Sequence, residues 1–164
     1  MLPCFPPCID RARMISFLRY WLPLLVWMVV IFSASADTQS TERTSRFLEP
    51  FLRWLNPDVS LYTIRVVRWF VRKSAHVLEF AFFAWLWWRV LRKPVRRDPR
   101  PWSWRTTGLA LACAMLYAIT DELHQYFVAN RSASVLDVCF DTAGAMLALG
   151  VLWLLHKRTA LNLK

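Results

Sequence analysis

The groups able to do chemistry fall in two short blocks and a scatter behind them. They are Lys73, His76 and Glu79 at spacings of three, then Asp121, Glu122 and Gln125, then Arg131, Asp137 and Asp141. Lysine and arginine offer donors to phosphate or carboxylate, while the acids and the glutamine accept from hydroxyls and amines. A histidine beside carboxylates can serve as base or acid, or join them around a metal. Each block lies at one end of an apolar stretch, where an ionisable group is expensive and marks a functional candidate.

Those stretches are the elements that must position the site. A chain with 57% hydrophobic residues, ten Trp, eleven Phe and only three Gly in 164 residues cannot be wrapped around one soluble core. Low-charge runs at 17–36, 76–91, 107–127 and 136–155 are each roughly long enough to cross about 30 Å of hydrocarbon. The predicted fold is all-α: an integral membrane helical bundle of four transmembrane spans plus an interfacial amphipathic helix. One membrane domain is expected over 14–158. Residues 1–13 form a disordered tail or a misassigned start, because Met14 opens a more conventional basic start, and 159–164 form a short cytoplasmic tail.

The interfacial element is read from 47–55 and 61–72, where charges interrupt apolar residues. Arg65, Arg68 and Arg72 recur on one helical face, which suits a helix in the interface plane that runs straight into the second span. The loop between the second and third runs carries Arg89, Arg92, Lys93, Arg96, Arg97, Arg100 and Arg105 against Asp98 alone, so it is placed in the cytoplasm. Both termini then fall inside. Segment 37–73 is also rich in arginine, offset in part by Asp37, Glu42, Glu49 and Asp58. A competing reading of the N-terminus is a secretory signal ending at Ala34-Ser35-Ala36.

The net charge of +10 gathers near span ends, where it sets topology and meets anionic headgroups. Membrane lipid is therefore the expected partner, and nucleic acid is not, since no basic and aromatic platform lies elsewhere. Cys113 and Cys139 sit inside apolar runs and are expected to be small buried packing residues. No cofactor and no metal are expected.

Helical spacing gathers the polar residues. Lys73, His76 and Glu79 stay on one side of a helix, Glu122 and Gln125 are i and i+3, and Asp137 and Asp141 are i and i+4. With the topology above, the end of the third span and the starts of the second and fourth meet at one depth on the outer side. Arg131 arrives there from the short loop between the last two spans. Ion pairs such as Lys73 with Glu79, or Arg131 with Asp137 or Glu122, would lock the helices together. The cluster holds more polar groups than locking requires.

The pattern K-x-x-H-x-x-E at the head of one span, D-E-x-x-Q at the end of the next, then Arg131 and Asp137 before a final span containing Gly144, resembles the VanZ-like membrane proteins. Phe32-Ser33 with Ser35, Ser40 and Ser45 looks like the family's first-span signature, and the likeness covers roughly 20–155. It implies a functional polar set at Lys73, His76, Glu79, Asp121, Glu122, Gln125, Arg131 and Asp137, with Gly144 as a close-packing glycine. Asp141 stands where the family more usually has Asn, and Ala129-Asn130 stands where a Pro-Gly turn is common.

The family takes its name from a membrane protein linked to teicoplanin resistance in bacteria, so the resemblance implies a place in the bacterial cytoplasmic membrane. The expected function is recognition of a cell-envelope amphiphile by the outward-facing cluster, either a lipid-linked wall precursor or a glycopeptide. The alternative is an intramembrane enzyme using His and Glu acid–base or metal chemistry on a lipid-linked substrate.

Overall fold

The structure is a computed structural model that describes residues 11–36, 40–94, 100–128 and 134–161; Arg131 and residues 1–10 lie outside them. The described residues form five helices: α1 (Arg11–Ala36), α2 (Ser40–Leu55), α3 (Leu61–Arg92), α4 (Trp104–Tyr126) and α5 (Val135–Leu161). The all-helical expectation holds. Two of these helices are long and apolar enough to cross a membrane, α1 over Met14–Ser35 and α5 over Val135–Leu161. Helices α3 and α4 have the length, 32 and 23 residues, but polar members of the cluster interrupt them.

Local sequence sets the helix ends. The Ser60 hydroxyl accepts from the Thr63 N–H at 3.1 Å and starts α3, and Ser103 does the same for α4 through Thr106 at 3.3 Å. Helix α3 stops at Lys93, which takes a left-handed conformation (φ 46°) and returns its N–H to the Arg89 carbonyl at 2.8 Å. A lysine pays a steric cost in that region which glycine does not. Lys93→Gly is therefore expected to stabilise the protein by about 1 kcal/mol, read as a higher midpoint in detergent unfolding.

Pro23 lies inside α1 and supplies no N–H to the carbonyl of Arg19, four residues earlier. Arg89 reaches across from α3 to that carbonyl at 3.5 Å, so a neighbouring helix partly satisfies the break. Two more contacts dock α1 on the bundle. Trp27 Nε1 donates to the Glu79 carbonyl at 3.2 Å, and the Tyr117 hydroxyl donates to the Met28 carbonyl at 2.7 Å.

The core fills the middle of the bundle. Helix α4 presents a narrow face of Ala110, Ala114 and Ala118, all buried, and large side chains of α3, chiefly Phe80 and Phe83, are buried in the same cluster. Leu24 and Ile31 from α1 and Ala145 and Leu149 from α5 complete it. Phe80 and Phe83 are thus packing residues. Cys139 departs from expectation: it is exposed on α5, while Cys113 is half-buried.

Helices α3 and α5 approach closely at Gly144. A Cβ built there would stand 2.1 Å from the Val77 carbonyl oxygen and 3.0 Å from its Cα. Only glycine lets the backbones of α3 and α5 come this near.

The interfacial element divides differently from expectation. Residues 61–72 are the first turns of the continuous helix α3, as a run straight into the second apolar stretch requires. The separate amphipathic element is α2, which packs on α3. Its Phe47, Phe51, Trp54 and Leu55 are exposed on one face, and Glu49 and Arg53 pair at 3.0 Å.

Candidate functional site

Above the Gly144 crossing, α3 and α5 face each other through charged side chains. Lys73 Nζ pairs with Asp137 Oδ1 in a nearly buried ion pair, and the ammonium also lies 5.6 Å from the Phe140 ring centroid and 6.0 Å from that of Trp69. One turn deeper, His76 Nδ1 stands 3.5 Å from Asp141 Oδ1. Asp141 is fully buried, and neither of its carboxylate oxygens has a hydrogen-bond partner among the described residues. Glu79 follows on the next turn, close enough to His76, Asp141 and Asp121 to feel their charges.

Helix α4 supplies the second wall. Its small face continues from Ala118 into Asp121 and Gln125, both buried. Gln125 Nε2 donates to Asp121 Oδ2 at 2.9 Å, and Ser35 at the end of α1 donates to the same oxygen at 2.7 Å. Glu122 turns toward the start of α5, where its Oε2 accepts from the Ser134 N–H at 2.8 Å. Asp121 Oδ1 and Glu122 Oε1 are buried with no hydrogen-bond partner among the described residues.

The arrangement is therefore three layers, the Lys73–Asp137 pair, the His76–Asp141 contact and the Ser35–Asp121–Gln125 network, with Glu122 alongside. Eight of the nine residues singled out from sequence meet here; Arg131 lies outside the described residues. Lys73 pairs with Asp137, and not with Glu79 as the helix-locking alternative had it, because the third residue of α5 reaches Lys73 across the helix seam. Ser35 was legible only as part of a serine-rich signature and had no assigned partner. His124, adjacent in sequence to the cluster, faces away from it and stacks on Phe32 at 4.2 Å.

A cavity of about 270 Å³ opens over the first layer, walled by Trp69, Arg72, Lys73, Asp137 and Phe140. Trp69 also borders a shallower one of about 390 Å³ with Tyr62, Arg65 and Val66. Cations and aromatic rings thus wall it, and its one acid, Asp137, is paired with Lys73. Among the described residues, no group of three or more His, Cys, Asp or Glu side chains is placed to hold a metal ion.

Ser35→Ala separates the network from the rest of the fold. It removes one hydrogen bond to a buried carboxylate, worth about 2 kcal/mol, and leaves Asp121 with Gln125 alone. Detergent unfolding should show that loss, with Ser35→Thr recovering most of it.

The family model described as VanZ/LLP1 matches residues 20–156, which covers α2, α3 and α4 and most of α1 and α5. No curated protein and no solved structure matches the chain.

Proposed function

Since the chain belongs to the VanZ/LLP1 family, we propose that it is a multi-pass protein of the bacterial cytoplasmic membrane whose polar cluster recognises the head of a cell-envelope amphiphile. Helices α1, α3, α4 and α5 are the spans, and α2 lies in the interface with its exposed aromatic face in lipid. Length supports this: α3 and α4 run about 48 Å and about 35 Å, against about 30 Å of hydrocarbon. Placing the Arg89–Arg105 loop in the cytoplasm puts both termini inside and the cluster at the outer leaflet.

One observation carries the recognition reading. One buried oxygen each of Asp121 (Oδ1), Glu122 (Oε1) and Asp141 (Oδ2) has no described hydrogen-bond partner, in the same cluster whose Lys73–Asp137 pair borders a cavity walled also by Arg72. Unfilled buried acceptors call for a donor-rich ligand, one with amines or several hydroxyls. The rim adds cations for a phosphate or carboxylate and Trp69 for an apolar ring. A glycopeptide such as teicoplanin, or a lipid-linked wall precursor, has this mixture of groups.

The test is teicoplanin susceptibility of cells that express the intact chain or equally abundant Glu122→Gln and His76→Ala variants. Raised resistance with the intact chain, lost in both variants, supports the proposal. No change with the intact chain removes the glycopeptide from it. Loss of protein in both variants would make the cluster a packing device.

A catalytic reading has one contact in its favour, His76 beside Asp141. A carboxylate at Nδ1 orients an imidazole and leaves Nε2 to take or give a proton. Against it, the hydroxyl of the Ser35–Asp121–Gln125 network is committed to Asp121. Turnover of a lipid-linked wall precursor by purified protein, lost in His76→Ala, would decide for chemistry.

A further inference from the structure

A second concavity lies away from the polar cluster. Beyond the Gly144 crossing, a crevice of about 550 Å³ opens between α3 and α5, and every residue that walls it is apolar. Helix α3 contributes Leu78, Ala81, Phe82 and Trp85, and α5 contributes Ala148 and Val151 among others. The two alanines leave the width, while Phe82 and Trp85 close one flank.

The crevice has a charged end. Leu78, Phe82, Trp85 and Arg89 follow at spacings of four, three and four, so they form one stripe along α3. The Arg89 guanidinium lies over the Trp85 ring, 4.7 Å from its centroid, and 5.8 Å from that of Tyr20. Its hydrogen bond to the Arg19 carbonyl is long, at 3.5 Å, which leaves donors for another acceptor. On α5, Val151 and Arg158 are seven apart, so Arg158 is a second cation on the helix face that lines the crevice, two turns toward the C-terminal end. No acid occurs in the described residues 82–92 of α3 or 151–161 of α5.

We propose that this crevice holds one acyl chain of an anionic phospholipid, with the phosphate on Arg89 and Arg158. The dimensions agree. Leu78 to Arg89 spans about 16 Å along the helix, close to half of the ~30 Å hydrocarbon layer, so the chain of a lipid in one leaflet fits along it. Charge decides which lipid: two cations with no acid on the described residues of either helix end favour a net-negative head over a zwitterionic one. The proposal rests on the membrane placement given above but not on the polar cluster. Carbonate extraction tests that placement separately.

The experiment is native mass spectrometry of protein purified in mild detergent and exposed to equimolar phosphatidylglycerol and phosphatidylcholine. The intact chain is expected to retain phosphatidylglycerol by about fivefold over phosphatidylcholine. Arg89→Gln should lower the ratio and Arg89→Gln/Arg158→Gln bring it close to unity, and Ala148→Phe, which fills the crevice, should lower retention of both lipids. His76→Ala should retain lipid as the intact chain does. Equal retention of the two lipids by the intact chain, or an unchanged ratio in Arg89→Gln, overturns the proposal. So does a lipid-free dimer, which would assign the crevice to a second copy of the chain.

Discussion

Gly144→Ala is expected to destabilise the protein by about 3 kcal/mol, through overpacking where α3 and α5 cross. Alanine is the better helix former, so on propensity alone the change would stabilise by about 1 kcal/mol. Contact reverses the sign. The new methyl would stand 2.1 Å from the Val77 carbonyl oxygen, and that neighbour is backbone, with no rotamer to change. The helices must separate, and His76 and Asp141, held 3.5 Å apart beside the crossing, separate with them. Gly108 and Gly150 provide the control: a Cβ at either meets nothing within 4 Å, so alanine there should be neutral or stabilising. Unfolding in detergent of the three variants, side by side, checks the assignment. Equal behaviour of all three would mean that the crossing is not tight.

Lys73→Met is expected to cost about 3–5 kcal/mol, because it strands Asp137 as an unpaired charge in a nearly buried setting. Asp137→Leu should cost a similar amount by stranding the lysine. The double variant Lys73→Met/Asp137→Leu is expected to recover most of that loss, since apolar residues of similar volume replace a buried pair at little net cost. Stability and function should then part company. If the pair serves recognition, the double variant accumulates normally and still fails to raise teicoplanin resistance. A double variant that is both stable and active would reduce the pair to a helix clasp. One that remains as unstable as the single variants would show that the charges do more than compensate each other.

The sequence exposed the polar set more clearly than its connections. Three-residue and four-residue spacings put Lys73 and His76 on one side of α3, and Asp137 and Asp141 on one side of α5; the structure joins these two faces. Spacing could not choose between Glu79 and Asp137 as the partner of Lys73, because that choice depends on how α3 and α5 slide past each other. The Gly144–Val77 contact fixes that register, and it is a property of two helices at once. Ser35 escaped for the same reason: nothing local says that the end of α1 meets the end of α4. Element boundaries were least legible over 47–72, read as one interfacial element: 61–72 does run without interruption into the second apolar run as α3, whereas 47–55 belongs to a separate helix, α2. Arg131 keeps its sequence-based candidacy only, since it lies outside the described residues.

The Lys73–Asp137 pair joins residues 64 positions apart in the chain. A ribosome adding ~5–20 residues per second needs about 3 to 13 s to cover that interval. During it, α3 has been made and its lysine has no acid from α5 to meet. If α3 spans the membrane as proposed, the newborn chain carries that ammonium without its α5 partner at the bilayer edge, or inside the insertion machinery, until α5 emerges. Chains cut short before α5 should consequently be held back or degraded, whereas those that reach Asp137 can close the bundle. A series of arrested chains, lengthened turn by turn through α5 and tested for protease resistance, would date that closure.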